Sequence, residues 1–417
     1  MNAKRILILG GGRYNVASIL AAREAGFVTL VADRNAHAPG LEVADIALPI
    51  DLNDRESLIA RVKQGGGIDG VVSMAEVGVR AAAHISARLG LPSISEEAAA
   101  NATSKASMRK LWQSIPQYST EFAIVGSQDE AGAAGRTLGS FPLILKPDRS
   151  LGGSRGVTMI RSLLEVASAF ANAKAGGLPN SGVVIERCVE GTEHSAEVLI
   201  WKGRTSVLCI GQKVKSAPPY RVDISVQYPA PLTMAQRDKV AQMCDLAIKA
   251  LGLTQGVAHV EFCYTKSGPV LFELGARCGG GHTPQIAHHV SGVNEFVEAC
   301  RMACGIAPTQ FTPLHNRGAD YRFLVFDPGV VRSVDIPHSL MASDCILDAG
   351  VTIQAGQTIS PLHSTSDRAG FLVATGATLE EAVTCADRGC REISLRYDDG
   401  SVHHAMELAN FQELVHP

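Results

Sequence analysis

Several things are missing from this chain of 417 residues. Its ten cysteines form no CxxC pair, the nearest being Cys300/Cys304 and Cys385/Cys390, which excludes the usual zinc-knuckle and dithiol redox spacings. Cysteines scattered in this way are expected to be reduced core residues of a cytosolic protein. Charge of one sign is missing too: 38 Lys and Arg against 41 Asp and Glu leave a net charge of −3. That balance excludes a basic nucleic-acid footprint and an acidic solvating tail, and it points to small molecules as partners. No apolar run approaches the ~20 residues of a membrane span. The stretch Ile6–Leu9 behind Lys4-Arg5 is too short for a signal-peptide core, so a soluble, cytoplasmic protein without a targeting segment is expected. There is no internal repeat and no low-complexity tract.

What remains is 46% hydrophobic residues over a length that suits two to four domains. Apolar runs at 6–9, 27–33 and 69–74 alternate with helical patterns around 15–25, 53–64 and 76–90, the rhythm of a small parallel sheet wrapped by helices. It stops at LPSIS, where Pro92 interrupts it and Ser95-Glu96-Glu97 reads as a helix start. From about 118 the pattern becomes α+β. Short strands (EFAIV, PLILKP, GVTMI, GVVIERCV, SAEVLI, SVLCI) are divided by tight turns, with helices near 128–138 and 162–174, a long helix at 232–251, and antiparallel hairpins favoured over crossovers. After 318 come further short strands and a helix opened by Thr378, with Glu381 completing a capping box.

The stretch VEFCYTKSGPVLFELGAR carries the chemistry. With Lys266-Ser267-Gly268 as a three-residue loop and Gly268 left-handed, Glu261 stands directly opposite Glu273. Facing carboxylates repel unless a cation lies between them, and an all-oxygen pair suits magnesium completed by phosphate and water. The bland alternative, a register slip or two solvated glutamates, weighs about as much on this stretch alone. Arg277 adds a fixed cation for a phosphoryl group or an oxyanion.

Lys146 ends an apolar strand, so a buried ammonium there needs a partner, and phosphate is the obvious one. The loop behind it, with Ser150, Gly152, Gly153, Ser154, Arg155 and Gly156, suits an anion but lacks the Gly-Lys-Ser/Thr of a Walker A motif. Taken alone it is more often a plain turn. Glu186 and Glu193 flank Arg187-Cys188-Val189, which by itself is an edge strand and a turn. Lys213 and Lys215 are expected on opposite faces of one strand, so that only one meets a nucleotide. His282, His288 and His289 lack zinc spacing, leaving His282 as a contact for a substrate carboxylate. Cys278 reads as a buried small residue.

Together these motifs resemble the ATP-grasp superfamily over most of the chain, and ELGARCGGGHTPQI is most similar to the L-amino acid ligases, dipeptide-forming carboxylate–amine ligases. The resemblance implies a Rossmann-like domain at 1–95, ATP-grasp domains at 96–317 with a lid about 118–190, and a C-terminal α+β ligase domain at 318–417. It implies that Lys105 and Lys146 contact ATP phosphates under a flap at 150–156, with Ser150, Gly152, Gly153 and Ser154 contributing. It places Glu186, Arg187 and Val189 at adenine, Glu193 at ribose, Glu261 and Glu273 on Mg2+ (or Mn2+), and Arg277 as the catalytic arginine. Gly275 stands where many relatives carry an asparagine ligand. The segment 217–232, with Tyr220, resembles the part near the amino-acid site. The implied reaction runs through an acylphosphate to an amide, with ADP and phosphate released and a homodimer as the assembly.

Three other readings compete. One is an ATP-grasp enzyme of purine or carboxylase type activating bicarbonate or formate, and another a nucleotide-binding module without catalysis. The third is an NAD-dependent oxidoreductase built on Gly10-Gly11-Gly12, with Asp33 about twenty residues on. Asn15 occupies the place of the third glycine, and this loop reads better as a first tight turn whose N–H groups meet an anionic substrate.

Overall fold

The computed structural model describes residues 3–150, 155–217 and 221–413. The expectations for Gly152, Gly153, Ser154 and Tyr220 therefore lie outside the described residues. The first sheet is parallel, in the order β3-β2-β1-β4, from β1 (Arg5–Leu9), β2 (Val28–Ala32), β3 (Ile46–Leu48) and β4 (Gly70–Ser73). Ile6, Leu7, Ile8 and Leu9 are all fully buried, because helices cover both faces of such a sheet. Three strands were readable as apolar runs. The fourth, β3, is a three-residue edge strand too short to show periodicity.

Four strands form an antiparallel sheet of their own, in the order β5-β8-β6-β7: β5 (Phe122–Val125), β6 (Leu143–Pro147), β7 (Thr158–Ile160) and β8 (Val183–Arg187). Helices Gln128–Leu138 and Val166–Gly176 close its core through Ala131, Leu138, Val166 and Ala169. Ser127 caps the first of them by accepting the N–H of Glu130, which leaves one orphan donor fewer at its start.

An eight-stranded antiparallel sheet dominates the molecule. Its order is β13-β12-β9-β10-β11-β14-β18-β16, from β9 (Thr192–Trp201), β10 (Arg204–Lys215), β11 (Asp223–Tyr228), β12 (Gln255–Thr265), β13 (Gly268–Gly275), β14 (Gly318–Leu324), β16 (Ile346–Val351) and β18 (Gly370–Gly376). Period-two alternation sorts its chemistry. Ala196, Val198, Ile200, Val260 and Phe262 pack with Met243, Ala247 and Ile248 of helix Met234–Ala250, so Glu193, Glu197, His259 and Glu261 are turned to the other face. The last quarter of the chain enters this sheet directly, as β14 pairs with β11 from Ala319↔Tyr228 to Arg322↔Ser225. The remaining strands, β15 (Gly329–Asp335), β17 (Thr358–Ile359), β19 (Ser394–Tyr397) and β20 (Val402–His404), make a small antiparallel sheet.

Two local expectations need correcting here. Cys345 and Cys385 are joined in a disulfide between the residue before β16 and helix Leu379–Glu392. Forty residues of sequence separate them, so no short Cys motif announced the pair. Thr378 does cap that helix, but Glu381 reaches past the cap to the N–H of Ala377 at 2.8 Å, so the capping box is not closed.

Candidate active site

The hairpin β12–β13 places Glu261 opposite Glu273, by a route the sequence reading did not foresee. The connection has two residues, Lys266 and Ser267, with Thr265 paired to Gly268. Gly268 adopts φ +133° rather than a left-handed helical angle. That one-residue difference would have slipped every pair, but a bulge between Glu261 and Phe262 leaves Phe272 as the extra residue and restores the pairing. Arg109 fixes the bulge by donating Nη2 to the Phe272 carbonyl at 2.8 Å.

Each carboxylate has its own cation. Lys105 Nζ lies 2.8 Å from Glu273 Oε1, and Lys213 Nζ 2.7 Å from Glu261 Oε2. Lys213 drives the Glu261 carboxyl well below its usual range, overcoming burial. Burial would raise Glu273, yet Lys105 holds it low. Lys213 and Lys215 are two apart and share a face, correcting the expectation that they oppose. Lys215 reaches Glu193 and Asp223, each at 2.9 Å. Among the described residues no three His, Cys, Asp or Glu side chains are grouped as a ready-made metal cage. The donor set does fit a hard cation, because both carboxylates are about one-third exposed and magnesium takes few protein oxygens, filling its shell from water and phosphate.

Behind this pair sits a closed triad. Glu186 is buried on β8 and is gripped by Arg109 at 2.7 Å and by Lys146 Nζ at 2.5 Å. The buried lysine thus finds its partner within its own sheet, where the sequence suggested phosphate. Burial would raise the Glu186 carboxyl, but Arg109 and Lys146 pull it down to about 2. Lys146 is pushed down to about 8 by burial and by Arg109, against the pull of Glu186. Asp148 sets the lysines relative to each other: its Oδ1 accepts from Ser104 Oγ and the Ala106 N–H at the start of helix Lys105–Trp112. Arg187 pairs with Glu121 at 2.9 Å, and Val189 follows the end of β8, its carbonyl near Cys263 Sγ. Ser150 is described and makes contacts of its own.

Arg277 lies two residues beyond β13, its Nε 3.0 Å from Glu76 Oε2. Burial raises the Glu76 carboxyl despite Arg277. Glu76 begins helix Glu76–Leu89 just past β4, and a Cβ on Gly275 would come within 3.1 Å of its carboxylate. The opening glycine loop abuts the same place, since a Cβ on Gly10 would meet Ala75 Cβ at 3.8 Å. Asp33 Oδ2 accepts the Gly11 N–H at 2.9 Å, so the carboxylate a dinucleotide ribose would need holds the loop instead. Tyr14, on the far side of that loop, meets His282 edge-on, with ring centroids 5.4 Å apart. His282 in turn bonds Asp348 at 2.6 Å.

Several site residues escaped the sequence reading. Arg109 lies one turn after Lys105 on one helix face, a spacing that could have flagged it. Glu76 sits at the carboxyl end of a parallel strand, where ligands gather in open α/β sheets. Glu197 and His259 are cross-strand neighbours, with Nδ1 to Oε1 at 2.5 Å, and the two carboxylates beside His259 raise its imidazole to about 10 against burial. Lys105, Lys146, Glu186, Glu261, Glu273 and Arg277 meet around one cleft face, while Glu193 stands beside it with Lys215.

The chain matches three family descriptions: an ATP-grasp N-terminal domain over residues 19–93, an ATP-grasp domain over 139–285 and an L-amino acid ligase C-terminal domain 2 over 322–398. It is 31% identical over 407 residues to a formate-dependent phosphoribosylglycinamide formyltransferase of Burkholderia pseudomallei, spanning 94% of this chain and 95% of that protein. It is 27% identical over 141 residues to carnosine synthase 1 of Mus musculus, covering 34% of this chain and 17% of that one. The crystal structure of an L-amino acid ligase from Bacillus licheniformis shares the fold, with TM-score 0.80 and 22% identity over 95% of this chain and all of that one. A Rossmann-like start, a small antiparallel sheet, a central sheet with paired carboxylates and a ligase-type C-terminal part thus occur in one chain: it belongs to the ATP-grasp family, as one of its ADP-forming carboxylate–amine ligases.

Proposed function

We propose that the protein activates the carboxylate of an amino acid, or of an acid resembling one, as an acylphosphate and joins it to the amino group of a second such molecule, releasing ADP and phosphate. The observation that carries this reading is the facing pair Glu261 and Glu273, each held by a lysine, with Arg277 next to them. The matched L-amino acid ligase C-terminal domain supports the amino-acid substrate class.

In this reading residues 1–95, 96–317 and 318–417 act as three units around one cleft. Lys105 and Lys146 trade their carboxylate partners for ATP phosphates. Water has to be kept from this site, because it would hydrolyse an acylphosphate. The backbone of Glu186, Arg187 and Val189 receives the adenine, and Glu193 the ribose hydroxyls. Glu261 and Glu273 would hold the magnesium ion that family members use with ATP, an ion that supplies neutralisation of phosphate charge. Arg277 stabilises the tetrahedral oxyanion when the amine attacks. No nucleophile from the protein is required.

A second reading, activation of formate or bicarbonate, is favoured by the full-length likeness to the formyltransferase. An ADP-release assay with magnesium separates the two. A panel of L-amino-acid pairs is expected to stimulate ADP formation; stimulation by formate or bicarbonate alone would overturn the amino-acid reading.

A further inference from the structure

His282 begins helix Thr283–Ser291, five residues beyond Arg277. It is 8% exposed, and its two ring nitrogens differ sharply. Nε2 lies 2.6 Å from Asp348 Oδ2, whereas Nδ1 is buried without a hydrogen-bond partner. A carboxylate can only accept, so Nε2 carries the proton of that bond, and Nδ1 offers a lone pair whenever the ring holds that one proton alone. An orphaned polar atom in so enclosed a place is unfavourable, and a ligand donor would relieve it.

The surroundings come from three parts of the chain. Tyr14, Tyr321 and Phe371 pack around the imidazole with ring centroids at 5.4, 5.6 and 4.5 Å. Arg13 lies over Phe371, and Arg368 over Phe323, which packs against Tyr321. Tyr321 and Phe371 are buried, Tyr14 is 40% exposed and the Asp348 side chain 38%, so the cluster meets solvent at Tyr14 and Asp348. The titratable and charged groups facing His282 are thus Asp348, Tyr14 and Tyr321, with Arg13 and Arg368 behind the rings. The loop that carries Tyr14 also abuts Ala75, next to Glu76 and its partner Arg277.

We infer that the Asp348–His282 pair is the proton acceptor for the attacking amine, His282 Nδ1 taking a proton from the ammonium while Asp348 holds the ring. The inference rests on the ligase reading. The ammonium gives one proton to Nδ1, and the freed nitrogen pair forms the C–N bond at the acylphosphate carbonyl. The carbonyl pair moves to oxygen and returns as the C–O bond to phosphate breaks, its electrons leaving with phosphate. The second N–H proton leaves with phosphate, and the imidazolium proton passes to water. An oriented base of this kind contributes ~10²–10⁴-fold.

Hydroxylamine tests this, because its nitrogen is neutral at pH 7 and attacks an acylphosphate unaided. With magnesium, ATP and a panel of L-amino acids, wild type is expected to give both amide and, with hydroxylamine, hydroxamate. In His282→Asn the amide rate is expected to fall on the order of 100-fold, with hydroxamate falling no more than ~3-fold and the amide rate climbing with pH as free amine becomes abundant. Asp348→Asn is expected to show the same split with a smaller loss of amide. Equal loss of both products in folded His282→Asn, checked by its melting curve, would overturn the inference and leave the ligase reading intact. Should His282→Asn not fold, Asp348→Asn decides by the same split. No hydroxamate from wild type with any acid would instead remove the ligase reading, and this inference with it.

Discussion

One sheet carries two sets of buried charges, and they behave differently. Near one end, Arg322 on β14 donates to Asp320 at 2.6 Å and to Asp387 at 2.8 Å, while Ser225 donates to Asp320 at 2.5 Å. The Asp320 and Arg322 side chains have no exposure at all. At the other end Glu261 and Glu273 also have cationic partners, yet 33% and 37% of their side-chain surfaces stay open. Burial and ion pairing therefore do not mark a functional centre by themselves. A sealed set has no route to a ligand, while an open one can exchange its lysines for something else. The closed triad at Glu186 lies between these extremes: it is buried, yet the function proposed above has Lys146 turn from a carboxylate to a phosphate.

Substitutions can break or sharpen that contrast. The largest effect is expected from Glu273→Gln, with ADP formation lowered at least ~100-fold and a melting temperature within a few degrees of wild type, as measured by a coupled ADP assay and thermal unfolding. A melting temperature that collapsed would put Glu273 in the same class as Asp320. Asp320→Asn should instead cost ~3–5 kcal/mol of stability, the usual result of stripping one partner from a buried ion pair, with kcat kept in the molecules that remain folded. Urea unfolding and an active-site titration read the two parts, and an unchanged urea midpoint would remove the distinction.

Acid acts on the triad. The Glu186 carboxyl lies at about 2 in the fold, against an ordinary value of 4.5. Its depressed value means that the triad stabilises the fold above the ordinary value, and that this is lost as pH falls from 4.5 through 2. The stability gap between wild type and Glu186→Gln is accordingly expected to close over that window in pH-dependent urea melts; a gap independent of pH would show that the Glu186 carboxyl titrates alike in the folded and unfolded chains. The smallest effect is expected at Glu76→Gln, which removes the counter-charge of Arg277. A change in kcat of about tenfold or less, with ATP binding retained in a calorimetric titration, is the expected result, and equal loss of both would place Glu76 at the nucleotide.

The hairpin shows how a sequence reading can be right through two errors. A three-residue loop gives the pairing of Glu261 with Glu273. The structure reaches the same pairing with a two-residue loop and a bulge at Phe272, because a turn and a bulge each shift register by one. Lys146 shows the opposite case. The requirement that a buried ammonium have a partner was legible, but Glu186 stands forty residues away in sequence and next to it only after β6 and β8 pair. The disulfide was missed for the same reason, as were Glu76 with Arg277 and His282 with Asp348: 40, 201 and 66 residues separate these partners.

The sequence by itself determined the features that depend on near neighbours. These are the parallel strands with their helices, the helix starts at Ser95 and Thr378, and the order of lysines, hairpin and arginine along the chain. Alternation and capping are local, so residue identity within a few positions decides them. The tertiary structure alone decided which charge faces which, that the last quarter of the chain extends the central sheet through β14, and that His282 keeps one nitrogen free. Electrostatic partners are set by distance in space, and only the folded chain brings residues a hundred positions apart within 3 Å.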